Sequence, residues 1–162
     1  MPNTKAVGVA YADPEFESVT VSGAATLSGA VTAASVTTTG AVTATSIAAS
    51  NDLGYTAAAQ GTVTQLTSKS TAVTLNKPAG VITMNNASLA TATNATFTLN
   101  NSLISANDTV ILTISGGQAT PGSYNVFANS LSAGSVSITL RNISGGSLSE
   151  AIVINFALIH CA

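Results

Sequence analysis

The chain has 162 residues, enough for one ordinary domain and an appendage, with a net charge of −2 and only 6% charged residues, against about a quarter in a typical soluble domain. Four cations, Lys5, Lys69, Lys77 and Arg141, are spread over the length, so no basic patch exists to neutralise phosphates and nucleic acid is excluded as a main partner. The mean hydropathy is positive, +0.45, yet no apolar run approaches the ~20 residues of a spanning helix. The longest, Ala151–Ile159, is strand-length and holds Asn155, so no membrane partner is expected.

Residues 1–17 carry Lys5, Asp13, Glu15 and Glu17 together with Tyr11, Pro14 and Phe16. The stretch lacks an apolar signal core, which predicts synthesis and assembly in a cytosol. It reads as an extended anchoring arm, with Tyr11, Asp13, Glu15, Phe16 and Glu17 as the contacting side chains. The alternative is a frayed terminus.

Residues 18–50 repeat: VTVSGA, ATLSGA, VTAAS, VTTTGA, VTATS, then Ile47. The leading residues Val19, Ala25, Val31, Val36, Val42 and Ile47 step by six, six, five, six and five. A helix needs spacings of three and four. Steps of five and six suit a two- or three-residue strand and a tight turn, the unit of a β-solenoid or β-helical fibre. One chain cannot sustain it. Burying one Val or Leu contributes about 1.5–3 kcal/mol, while ordering each residue of a repeat costs about 1–2 kcal/mol. Several chains sharing the axis would close the edges and bury the apolar positions together. The segment is therefore predicted to be a trimeric β-helical stalk, with Val19, Val21, Leu27, Val31, Val36, Val42 and Ile47 towards the axis. A disordered linker is the alternative, though low charge and few prolines disfavour it.

Charge and aromatics return at Ser50–Tyr55, and residues 51–162 read as a β domain. Strands are predicted at Thr62–Leu66, Ala72–Leu75, Val81–Met84, Thr96–Leu99, Thr109–Ile114, Tyr124–Ala128, Ser135–Arg141 and Ala151–Ile159. In Ser135–Leu140 the residues Val136, Ile138 and Leu140 should face one way. Asn76–Gly80, Gly116-Gly117, Thr120–Ser123 and Gly145-Gly146 read as turns, with the glycine pairs as hairpin turns. About eight short strands imply a two-sheet sandwich of jelly-roll type. The fold class expected for the whole is all-β, a short intertwined trimeric stalk followed by a jelly-roll-like knob.

Candidates for chemistry are few. His160 is the sole histidine and Cys161 the sole cysteine. Neighbours on a strand point to opposite faces, so a structural role is expected for both. Asp52, Asp108 and Glu150 are the only acids beyond the arm, in turn-like contexts where carboxylates bond nearby backbone. No catalytic residue, cofactor or metal ligand is expected. A glycan reader would use aromatic platforms, and most of Tyr55, Phe97, Tyr124, Phe127 and Phe156 lie in strand patterns that predict burial.

Arm, charge-free stalk and β-knob together resemble the virion fibre and capsid-decoration proteins of tailed bacteriophages. The C-terminal block is the more specific part. GYTAAAQGTVTQLTSKSTAVTLNKPAGVITMNNASLA from Gly54 and ITLRNISGGSLSEAIVINFALI from Ile138 look like a module recurring in phage structural proteins. Residues 54–159 make up about two-thirds of the chain. The resemblance implies a homotrimer without enzymatic activity and assigns no ligand residues. Tail fibres and tailspikes are usually much longer. The short arm–stalk–knob therefore suits a cement or head-fibre protein on the capsid surface, with the major capsid protein as partner. A tail-fibre tip binding a host surface glycan, and a small depolymerase, are the competing readings.

Overall fold

The computed structural model describes residues 20–161. The chain divides into two units, Met1–Ala48 and Ala49–Ala162. The second unit is all-β, with a single 3-10 turn at Ala57–Ala59. Its strands are β1 (Gln60–Thr64), β2 (Val73–Thr74), β3 (Ala79–Thr83), β4 (Asn94–Asn100), β5 (Thr109–Gly116), β6 (Tyr124–Ser132), β7 (Ser135–Asn142) and β8 (Val153–Ile159). Each overlaps one strand predicted above, and most ends differ by one to four residues.

The strands form two mixed four-stranded sheets, β1-β3-β8-β5 and β2-β4-β7-β6. The orders match strand for strand when each first-sheet strand is matched with its chain neighbour. The β1–β2 and β3–β4 pairs leave the first sheet for the second in the same sense. Stacked side by side, they must therefore pair in parallel, as β1 with β3 and β2 with β4 do. The β7–β8 pair runs the other way, so its pairings with β3–β4 and with β5–β6 are antiparallel. A jelly roll is wholly antiparallel; the two parallel pairings depart from that expectation.

The glycine pairs are not hairpin turns. Gly116-Gly117 leads from β5 in one sheet to β6 in the other, and Gly145-Gly146 from β7 back to β8. Gly117 has φ +82°, and a Cβ there would sit 2.0 Å from the Ala151 carbonyl oxygen, so only glycine fits. The one sequence-adjacent pairing is β6 with β7, closed by Ala133-Gly134 between Ser132 and Ser135.

The core follows from period-2 alternation. Val136, Ile138 and Leu140 of β7 point inward, as predicted, and meet Ala95, Phe97 and Leu99 of β4 and Ile154, Phe156 and Leu158 of β8. Buried aliphatic and aromatic side chains of this size contribute about 1.5–3 kcal/mol each. Edges are managed by length and irregularity: β2 has two residues, and β5 and β6, at the opposite edge, each carry a bulge.

Candidate functional site

The arm residues Tyr11, Asp13, Glu15, Phe16 and Glu17, and Val19 of the stalk, lie outside the described residues. From residue 20 to 56 the chain forms no strand or helix. Val21, Leu27, Val31, Val36, Val42 and Ile47 are 54–76% exposed. An apolar side chain every four to six residues, uncovered within its own chain, is the main feature of this region.

In the second unit the predicted functional side chains scatter. Phe97, Phe156 and Tyr124 are in the core, and Phe127 and Tyr55 are half-exposed on different elements. Asp52 accepts a hydrogen bond from the neighbouring Asn51 amide, 3.1 Å. The Glu150 Oε1 accepts the Ala119 N–H at 2.6 Å and so pins the loop after β5. The bond spans 31 residues, not the local one expected. Gln118 Oε1, Tyr124 Oη and Glu150 Oε2 are buried without a hydrogen-bond partner. Burial first, and then the Glu150 carboxylate, push the Tyr124 hydroxyl well above its ordinary range. Among the described residues no group of three or more His, Cys, Asp or Glu could hold a metal ion.

Lys69 is buried. Its Nζ donates to the carbonyls of Asn85 and Glu150, each at 2.5 Å. Desolvation holds its pKa below the ordinary lysine value, and Glu150 opposes the shift. Gln65 closes the same loop, donating to the carbonyls of Lys69 and Thr71. The ammonium is thus a structural staple across three loops.

Asp108 and His160 are brought together by strand register. Thr109 of β5 pairs with Ile159 of β8, which sets the residues just outside that pair side by side. His160 Nδ1 lies 2.9 Å from Asp108 Oδ2, with the imidazole 54% exposed. Asp108 also accepts the Ser105 N–H at 2.8 Å and the Cys161 N–H at 3.4 Å. The Ser105 bond holds its carboxyl below the usual range, desolvation works against this, and Cys161 and His160 add to it. Sequence reasoning placed Asp108 in a turn but missed its pairing with His160. The signal was present only jointly, as one residue before β5 and one after β8.

Beside His160 runs an open apolar groove of about 490 Å³, lined by Leu53, Gly54, Tyr55, Ala157, Leu158 and Ile159. The Tyr55 hydroxyl donates to the Leu158 carbonyl and Gln60 Nε2 donates to the Tyr55 carbonyl at 3.1 Å, which fixes this entering segment on β8.

No family model, curated protein or solved structure matches the chain. Its surfaces therefore carry the functional argument. These are an uncovered apolar repeat, a groove where the chain enters the β unit, and a two-sheet knob whose few ionised groups are largely tied into its own loops. No helix of the described residues is long and apolar enough to cross a membrane.

Proposed function

We propose that the protein is a homotrimeric capsid decoration or head-fibre protein of a tailed bacteriophage. Three copies of residues 18–50 wind into a β-helical stalk, the arm of residues 1–17 attaches to the major capsid protein, and the β unit is the projecting knob. Its chain alternates between sheets much as in a jelly roll. The observation that carries the reading is the repeat. Val21 to Ile47 expose an apolar residue at nearly every step, with no strand or helix of their own, and shared burial between copies is the physical remedy. Charge distribution supports it. Beyond the arm, Lys69, Lys77 and Arg141 balance Asp52, Asp108 and Glu150, so the net −2 belongs to residues 1–17, where one cation meets three acids. A neutral body favours association, and the charged arm offers a distinct contact. Three weak arm contacts sum by multivalency.

The test is native mass by light scattering, followed by mixing with undecorated capsids. A trimer that binds capsids, and a trimer without residues 1–17 that does not, is the expected result. A monomeric mass, or attachment by the truncated trimer, overturns the stalk or the arm assignment respectively.

A further inference from the structure

The two outer faces of the knob differ in a way that selects one of them for contact. On the first sheet, β1-β3-β8-β5, no outward-facing residue is charged; the face is built from Thr, Val, Ala, Ile, Ser, Asn and Gln. Ala79, Ala157 and Ile111 lie in one cross-strand row. Ile111 and Ile159 are 46% and 50% exposed, and the groove under Leu53 and Tyr55 opens beside them. The second sheet's outer face carries Arg141, paired in register with Asn94 and Asn125. Its one large exposed apolar residue is Phe127.

Chain connection adds direction. The β unit begins at residue 49, and the entering chain is bonded to β8 at Tyr55. The five steps from residue 48 to Leu53 can span at most about 18 Å. If three chains are held together up to residue 48, three copies of this groove lie within that reach of the point where the chains part. The second sheet's outer face lies on the far side, with the two sheets stacked about 10 Å apart. A threefold contact through that far face would also set three copies of Arg141 against one another, whereas the first face has no charge to repel its copy.

We propose that the outer face of the β1-β3-β8-β5 sheet, with the groove under Leu53–Tyr55, is the surface through which knobs of three copies of this chain pack on one another. This rests on the trimeric reading above and extends it from the stalk to the knob. The groove lined by Tyr55, Ala157 and Ile159 receives apolar side chains of the neighbouring copy.

The experiment uses the full chain in a Cys161→Ser background. A nitroxide is placed at Thr113→Cys, on this face, or at Ser130→Cys, on the other. Native mass is measured first and inter-copy distances by pulsed dipolar spectroscopy second. The expected result is a trimer whose distances from position 113 are shorter than those from 130 by roughly 15 Å, the sheet spacing projected on a threefold. A trimer with equal or reversed distances overturns the knob contact and leaves the trimeric stalk standing. A monomer overturns both. As a second readout, Ile111→Lys with Ile159→Lys should make the trimer dissociate at higher protein concentration than the wild type, while Phe127→Lys should not. Equal dissociation of the two variants overturns the proposal.

Discussion

Residues 20–48 and residues 49–161 share a vocabulary of Val, Thr, Ser, Ala and Gly, yet only the second region covers its own apolar side chains. The difference is phase. In β7 and β8 apolar residues recur every two positions, and every inward one meets an inward one from another strand of the same chain. In the repeat they recur every four to six, and Val36 remains 76% exposed. Small β-forming residues are not sufficient for a fold. The spacing decides whether a single chain can satisfy its apolar groups or needs copies of itself.

That contrast can be broken by paired truncations. Ile154 is fully buried between the sheets, so Ile154→Ala should cost the knob about 2–5 kcal/mol in denaturant unfolding. Measured at a dilution where neither protein is assembled, Val36→Ala should leave knob unfolding unchanged, while at higher concentration it should weaken the association measured by light scattering. A knob destabilised by Val36→Ala would mean that the two regions are not energetically separate. Next in size is Lys69→Met, which strips the donor from two partly buried carbonyls. Two charge-assisted hydrogen bonds together predict a loss of about 3 kcal/mol. The pH trend has a definite sign. Lys69 binds its proton less tightly folded than unfolded, so its contribution makes the wild-type knob more stable as pH rises towards the ordinary lysine value of about 10.4. That rise should be absent in Lys69→Met.

Much of the knob was legible from alternation. The inward trio Val136, Ile138 and Leu140 and the general positions of the strands needed only local pattern. What was not legible is which strands become neighbours. Gly116-Gly117 and Gly145-Gly146 look the same locally whether they close a hairpin or carry the chain between sheets. The outcome depends on pairings many residues away, such as β5 with β8. For the same reason Lys69, in the polar stretch TSKST, gave no sign of burial, since its acceptors come from Asn85 and Glu150. The groove depends on Tyr55 meeting Leu158, a contact across 103 residues. In residues 20–48 the repeat itself was plain, but a partner's surface cannot be read from one chain.

Asp108 sharpens the comparison from the acid side, because the described part of the repeat has no titratable group at all. Its carboxyl is held below the ordinary range by the Ser105 N–H first of all. A carboxyl with a depressed folded pKa contributes stability above its unfolded value of about 3.9, and loses it as pH falls through the folded value. Acid unfolding of the wild-type knob should therefore steepen below about pH 4, and Asp108→Asn should flatten that limb while lowering stability at neutral pH. Thermal melts of both proteins from acid to neutral pH measure it. Parallel curves would mean that Asp108 is not the group responsible.

The smallest expected effect is the most discriminating for the core. Tyr124 is buried, and its hydroxyl faces the Glu150 carboxylate closely enough to feel it without reaching hydrogen-bond geometry; Gln118 Oε1 and Glu150 Oε2 are likewise without partners of good geometry. Removing a buried polar atom that has no partner loses no bond and relieves a desolvation cost. Tyr124→Phe should thus leave knob stability within about 1 kcal/mol of wild type, neutral or slightly more stable. Its pH behaviour separates it from a mere packing change. The folded hydroxyl is held neutral, chiefly by burial, so wild-type stability should fall once the unfolded tyrosine ionises above about pH 10, and Tyr124→Phe should fall less. A loss of several kcal/mol in the variant would mean that the hydroxyl has a partner after all. The Glu150 carboxylate, which also raises its pKa, would be the group to substitute next.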